Sequence, residues 1–569
     1  WTAAALGVVV AAPRLAARGA AFSYPDRIAS ALLALACVAP FWIARERTHL
    51  FGDGALLIRD RGLSDTITRA PLLVRAAHQW VLHTARFGLT SETALAILSI
   101  VAGVVAVFAL LRLAASLTPD RGGRLLAAVL LLTAGSTQLF FGHVEYYAML
   151  AAATALYLWL ACALLGAGRP TWPTWLAWGA LLPVHLSALA FLPAQAVLAL
   201  RELRAGRRRA VLTTLAAAAG LGLAMILPRL VGRGMSAFVA TTWAGPQRYM
   251  APFFNRESTR HAFGFLSAQH WLALLNDLLL VAPLALVALP VLWRQRRGRP
   301  DAIHAFLAAA AVGALLFSIL FHRELGPIRD WDILSANAFV LLAFVAARLV
   351  RPHPGHQRTA ALIVAAAGLH HLVPWVALQT RPAATVAWIE RHTRASGQLS
   401  PHARAYWYEE IAILHRQHGD EAASLLAYEA AVAANPSDAR YHVGLGNRYL
   451  MRGEMERAAE QYEDALRRRP NLAPAHNNLA YTLALLGRDL DAALAHAQAA
   501  LAADSTRVDY WTTLARVQST RGDPAAARAA AANALRRRPD AAEARAILAA
   551  IDAGLPVPSP RLETPAVPP

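Results

Sequence analysis

The feature that most constrains this chain is a change of character near residue 385. Before it, apolar runs follow one another, separated by short arginine-rich loops. After it come helical hairpins at a 34-residue period, with no run long enough to cross a membrane. The apolar runs lie at about 28–44, 94–115, 125–141, 146–166, 174–200, 210–230, 272–293, 303–320, 334–350 and 359–379. Such lengths suit helices crossing a hydrocarbon core of about 30 Å. Helices are also the open-ended elements that satisfy their own backbone there. The expected fold is therefore all-α, with a polytopic membrane part over 1–380 and a soluble repeat part over 405–552. Residues 381–404 form a linker or capping helix, and the proline-rich 553–569 a disordered tail. A mean hydropathy of +0.37 excludes a single soluble globule.

The net charge of +19 comes from 55 basic residues, all of them arginine. They cluster in loops between apolar runs, as the positive-inside rule expects, so they are not read as a nucleic-acid surface. The loops 201–209 (RELRAGRRR) and 294–299 (RQRRGR), and the one bracketed by Arg351 and Arg358, are expected to be cytoplasmic. That places 231–271, 321–333 and everything after 380 outside. The parity holds if the long 174–200 run breaks at Pro183 into two short helices, with His185 near the outer surface. Trp1–Ala12 reads as the tail of a truncated span. Cys37 and Cys162 lie in apolar runs, so no structural disulfide is expected.

In the second part, Gly419, Gly453 and Gly487 are 34 apart, as are Pro436 and Pro470, with Asp504 in the next place. Ala431, Ala465 and Ala499 share another phase, and Tyr428 and Tyr462 a fourth. The stretch YHVGLGNRYLMRGEMERAAEQYEDALRRRPN resembles the tetratricopeptide pattern. Four repeats are expected at 405–438, 439–472, 473–506 and about 507–541, the last displaced by one residue inserted before Gly522. Such repeats stack into a solenoid whose concave face receives a peptide or a partner domain.

Four groups of polar residues stand where the apolar part leaves the bilayer. Asp53 lies between two glycines, which let a loop approach a ligand closely. His143 and Glu145 lie between two apolar runs, where ionisable groups are costly. The stretch HRELGPIRDWDILSANA carries Arg329, Asp330 and Asp332, with arginines able to clamp a phosphate. The 231–271 loop adds Arg256 and His270. All four groups, with His185, reach one face in this topology. The arrangement fits transfer from a lipid-linked phosphate donor, with a carboxylate as general base or as ligand to a divalent ion.

By topology and acid placement, residues 28–380 resemble the GT-C superfamily of integral membrane glycosyltransferases. The resemblance implies a polyprenyl-phosphate sugar donor, with Asp53 matching the acid of the first external loop and Glu145 that of the second. It makes these two the expected catalytic and metal-holding residues, with Mg or Mn as the ion. Arg329, Arg256, His143, His185, Asp330, Asp332 and His270 are then the expected substrate-binding residues. The layout is also similar to the eukaryotic transmembrane O-mannosyltransferases with lumenal repeats. The expected protein is a multi-pass inner-membrane glycosyltransferase with periplasmic repeats, acting on a protein or glycan. Two other readings remain: a membrane-anchored scaffold whose repeats recruit envelope proteins, and a transporter of a lipid-linked substrate.

Overall fold

The computed structural model describes residues 27–51, 88–144, 147–182, 185–209, 211–216, 264–286, 301–321, 331–350, 357–395 and 399–557, together with Gly54, Trp80 and His83. The protein is all-α. It divides into two compact units, one ending at Trp388 and the other beginning at Ile389. Arginines and acids balance within 389–569, so the whole excess of +19 lies before residue 389.

Five described helices of the first unit are long and apolar enough to cross a membrane: Ser91–Leu117, Tyr147–Gly166, Ala302–Leu320, Asp332–Leu349 and Thr359–Gln379. Among the described residues four apolar runs of the sequence are not single helices; the 272–293 run ends its helix at Val281, just before Pro283, and the other three also break for local reasons. The first splits into α1 (Arg27–Ala36) and α2 (Val38–Ile43). Pro40, in the first turn of α2, has no N–H to continue the ladder. The third ends its helix at Leu132 and continues as a 3-10 turn over Gly135–Phe140. A Cβ on Gly135 would lie 1.7 Å from the Leu280 carbonyl oxygen, so only glycine allows that approach. The fifth stops at Leu181 and resumes as a 3-10 turn (Leu186–Phe191) and a helix (Leu192–Arg204). The break brackets Pro183, which itself lies outside the described residues.

The helix Ser335–Leu349 is the centre of this unit, with most of its side chains buried. Small residues let neighbours come close: a Cβ on Gly313 would sit 1.8 Å from the Ala190 carbonyl oxygen. Large apolar side chains that remain exposed belong, among the described residues, almost wholly to this unit. Among the described residues of the second unit, only Leu426 and Leu555 are of that kind.

The second unit is a run of helix pairs. They are α3/α4 (Pro401–Gln417, Glu421–Ala434), α5/α6 (Ala439–Met451, Met455–Arg468), α7/α8 (Ala473–Leu486, Leu490–Ala503) and α9/α10 (Val508–Thr520, Pro524–Arg537), followed by α11 (Ala542–Asp552). The glycine phase has a conformational cause. Gly419, Gly453, Gly487 and Gly522 all end a first helix with positive φ, between 65° and 85°.

The structure relocates the inserted residue. The buried alanines are Ala431, Ala465, Ala500 and Ala534, each accepting the N–H that closes its helix, from Asn435, Arg469, Asp504 and Arg538. The extra residue therefore precedes Ala500. It lies in the turn after Gly487, where Asp489 takes the left-handed conformation at φ 50°. Ala500 thus replaces Ala499 in its phase, and Ser505, not Asp504, corresponds to Pro470. A hydrogen bond repeats in the same register. His442 and His476 place Nε2 at 3.1 and 2.8 Å from the carbonyls of Pro436 and Pro470, and Trp511 donates Nε1 to Ser505 at 2.8 Å. Each ring reaches six residues back and fastens a repeat to the end of the one before.

Candidate functional site

A groove of about 310 Å³ runs along the first helices of the repeats. Its lining comes from α5 (Asn447, Leu450, Met451), α7 (Asn477, Asn478, Tyr481), α9 (Asp509, Thr512, Thr513) and α11 (Glu543), with Arg538 beside them. Helix periodicity explains the set: Asn478 and Tyr481 are three apart and share a face, as do Asn447 and Leu450.

Two polar networks hold these side chains. In the first, the Tyr462 hydroxyl donates to Asn447 Oδ1 at 2.8 Å. Asn478 Nδ2 donates to the same oxygen at 2.8 Å, and Asn477 Nδ2 donates to Asn478 Oδ1 at 3.0 Å. In the second, Glu543 Oε1 accepts from Arg516 Nε at 2.7 Å and from the Tyr481 hydroxyl at 3.3 Å. Burial raises the Tyr462 phenol pKa above its ordinary value; burial and the charge of Glu543 do the same for Tyr481. Both hydroxyls thus remain protonated donors. A shallower hollow of about 530 Å³ by Pro436, Ser437, Arg467 and Arg468 is less suited to a ligand, because both arginines are engaged by Asp464.

The first unit contains a buried cluster that joins two of the residues singled out from sequence. His143 Nδ1 lies 2.7 Å from Glu46 Oε2, and its Nε2 lies 3.1 Å from Asp332 Oδ2. All three side chains are at most 4% exposed. The Glu46 N–H donates to the Phe141 carbonyl at 2.8 Å, Ser99 donates to the His143 carbonyl, and Trp331 covers the imidazole at 5.5 Å. The sequence reading missed Glu46, since a lone acid in the stretch ARERTH looks like a solvated loop residue. The imidazole stands between the two carboxylates and engages one with each nitrogen, so the three groups do not converge on a common ion. Among the described residues, no group of three or more His, Cys, Asp or Glu side chains could hold a metal.

The other expected site residues are dispersed. His185 caps the 3-10 turn, its Nδ1 at 3.1 Å from the Ser187 N–H, with its ring against Tyr147. His270 is buried on the helix Ala268–Val281, between Phe265 and Trp271. Asp53, Glu145, Arg256, Arg329 and Asp330 lie outside the described residues.

Comparison with known proteins concerns the second unit. Residues 409–473, 447–507 and 512–551 match the family described as tetratricopeptide repeat. Residues 409–551 are a tetratricopeptide-repeat region. Among solved structures, similar chains include YrrB, titled a TPR protein with an unusual peptide-binding site (21% identity, 26% of this chain and 77% of that one, TM-score 0.24). Others are TTC0263 of Thermus thermophilus (26% identity, 30% and 90%, TM-score 0.24) and MamA of Desulfovibrio magneticus (17% identity, 26% and 84%, TM-score 0.25). No curated protein matches the chain.

These findings correct the GT-C reading. The family match is to the repeats, and among the described residues His143 and Asp332 belong to no group of side chains that could hold a metal. The expectations of a polyprenyl-phosphate-dependent glycosyltransferase and of an enzyme are set aside on that basis. The expected location in the inner membrane with periplasmic repeats is set aside as well: the family match concerns the repeats and indicates no such topology.

Proposed function

We propose that this protein is a scaffold held at a membrane by its first unit and presenting its repeats to a protein partner. The observation that carries this reading is the groove. Side chains from three successive repeats and the last helix line one continuous surface, whose polar members are already ordered by hydrogen bonds among themselves. A preordered groove of this kind takes an extended segment at a lower entropic cost. The apolar side chains exposed on the first unit, and its five long apolar helices, support its placement in lipid.

The test has two parts. Membranes carrying the full chain are washed with alkaline carbonate, where the chain is expected to stay with the lipid. The purified full chain in detergent is then used to select from a random-sequence peptide library displayed on phage. Captured peptides are expected to lose binding to Tyr481→Ala. Release by carbonate counts against the anchor, and failure to capture any Tyr481-dependent peptide counts against the groove.

A further inference from the structure

The third repeat sets two histidines against each other. His476 on α7 and His496 on α8 bring their Nδ1 atoms to 2.9 Å, with ring centroids 5.1 Å apart, so the nitrogens lead the approach. The tautomer of His476 is fixed by its other end. Nε2 lies 2.8 Å from the Pro470 carbonyl, which can only accept, so Nε2 carries the proton and Nδ1 is a lone pair. Metal-binding imidazoles are commonly held in this way, the far N–H given to a carbonyl. The second repeat has the same lock without the second imidazole. His442 places Nε2 at 3.1 Å from the Pro436 carbonyl, and its Nδ1 meets the side-chain amide of Gln461 at 2.9 Å. One 34-residue period after Gln461 comes Ala495, and the residue inserted in the turn after Gly487 moves the counterpart on to His496.

We propose that His476 and His496 form a two-imidazole site for copper(II), both bonding through Nδ1. Two nitrogens about 2.0–2.1 Å from one ion and 2.9 Å apart subtend roughly 90° at it. That is the angle between neighbouring ligands of a tetragonal ion, whereas tetrahedral zinc needs them roughly 3.3 Å apart. Imidazole ligands in tetragonal geometry suit copper(II) and nickel(II), and copper(II) binds more tightly. Both histidines are partly exposed, so water reaches the remaining positions. Without the ion, His496 donates Nδ1–H to His476 Nδ1. On binding, that proton moves to His496 Nε2 through solvent, both lone pairs turn to the ion, and two of its waters leave. The ion then joins α7 to α8 across the turn where Asp489 is strained, and stabilises the folded repeat. Neither histidine lines the groove, so the site stands apart from the peptide-binding reading.

The test uses the full chain in detergent, purified without a histidine tag, stripped of metal and titrated with copper(II) against glycine as a competing chelator. One equivalent is expected to bind, and its electron spin-echo modulation should show two imidazoles. His496→Gln copies the pairing of the second repeat. Its copper affinity is expected to fall by roughly tenfold or more, since even an outer-shell partner is worth that much, with one imidazole lost from the spectrum. Gln461→His is expected to add a second equivalent opposite His442, a gain that misfolding cannot produce. Copper(II) should raise the melting temperature of the wild-type repeats but not of His496→Gln, and equimolar zinc(II) should not displace it. A wild-type chain that loses all its copper to glycine overturns the proposal. So does an unchanged two-imidazole signal in His496→Gln, which would put the ion elsewhere among the chain's 20 histidines. Displacement by zinc(II), or a folded Gln461→His chain that gains no copper, overturns it as well.

Discussion

Arg516, on the first helix of the fourth pair, donates Nε to Glu543 at 2.7 Å and so ties α9 to the closing helix α11. The guanidinium is only 5% exposed, and a second nitrogen reaches the same oxygen at 2.6 Å. Removing the carboxylate would leave a buried cation, which is worse than losing both partners. Glu543→Ala is therefore expected to destabilise the end of the repeat unit by about 2–3 kcal/mol. The double variant Arg516→Leu/Glu543→Ala should recover part of that loss. Amide hydrogen exchange over 508–552 measures the effect locally. Equal exchange in the single and double variants would show that the pair carries no coupling.

The turn glycines separate backbone strain from packing. Gly453 sits at φ 77° with nothing near its missing side chain, so Gly453→Ala is expected to cost about 1–2 kcal/mol through the left-handed conformation alone. Asp489 bears this strain already at φ 50°, and its side chain caps no helix N–H. Asp489→Gly is expected to stabilise the third repeat, by up to about 1 kcal/mol. Thermal unfolding of both variants gives the comparison, and the opposite sign at residue 489 would rule out strain there.

His496 supplies a dependence on pH. Burial and the neighbouring His476 hold its pKa below the ordinary 6.5, with Nδ1 of the two rings 2.9 Å apart. The unfolded chain therefore binds the proton more tightly than the folded one. The contribution to stability is intact above about pH 6.5 and is lost as the pH falls below that value. His496→Gln should flatten the profile of melting temperature between neutral pH and mild acid. An unchanged profile would place the titration elsewhere.

In the first unit, His143 keeps Glu46 and Asp332 apart while bonding to both. His143→Ala would leave two buried carboxylates without that bridge, an expected cost of about 3–5 kcal/mol. Glu46→Gln with Asp332→Asn keeps the shapes and removes the charges, and should cost less. Thermal unfolding of the full chain in detergent distinguishes the two. A milder effect from His143→Ala would mean that the bridge is not what holds these loops.

Sequence alone determined the all-α class and the repeat phase. Both rest on local physics: apolar runs of membrane length, and glycines spaced by 34 because each first helix ends in a left-handed turn that glycine enters freely. It misplaced the insertion because Asp489 can adopt the left-handed turn without being glycine, and the signal appeared only later, at Gly522. It named His143 and Asp332 but could not join them, since they are 189 positions apart and Glu46 lies 97 positions from His143. Nor could it see the groove, whose Asn477–Asn478 pair reads as two polar residues on a helix. Only the stacking of successive repeats turns those amides toward one another and fixes the direction of their hydrogen bonds. Hydrogen-bond direction across helices is a property of tertiary packing, and no periodicity along the chain encodes it.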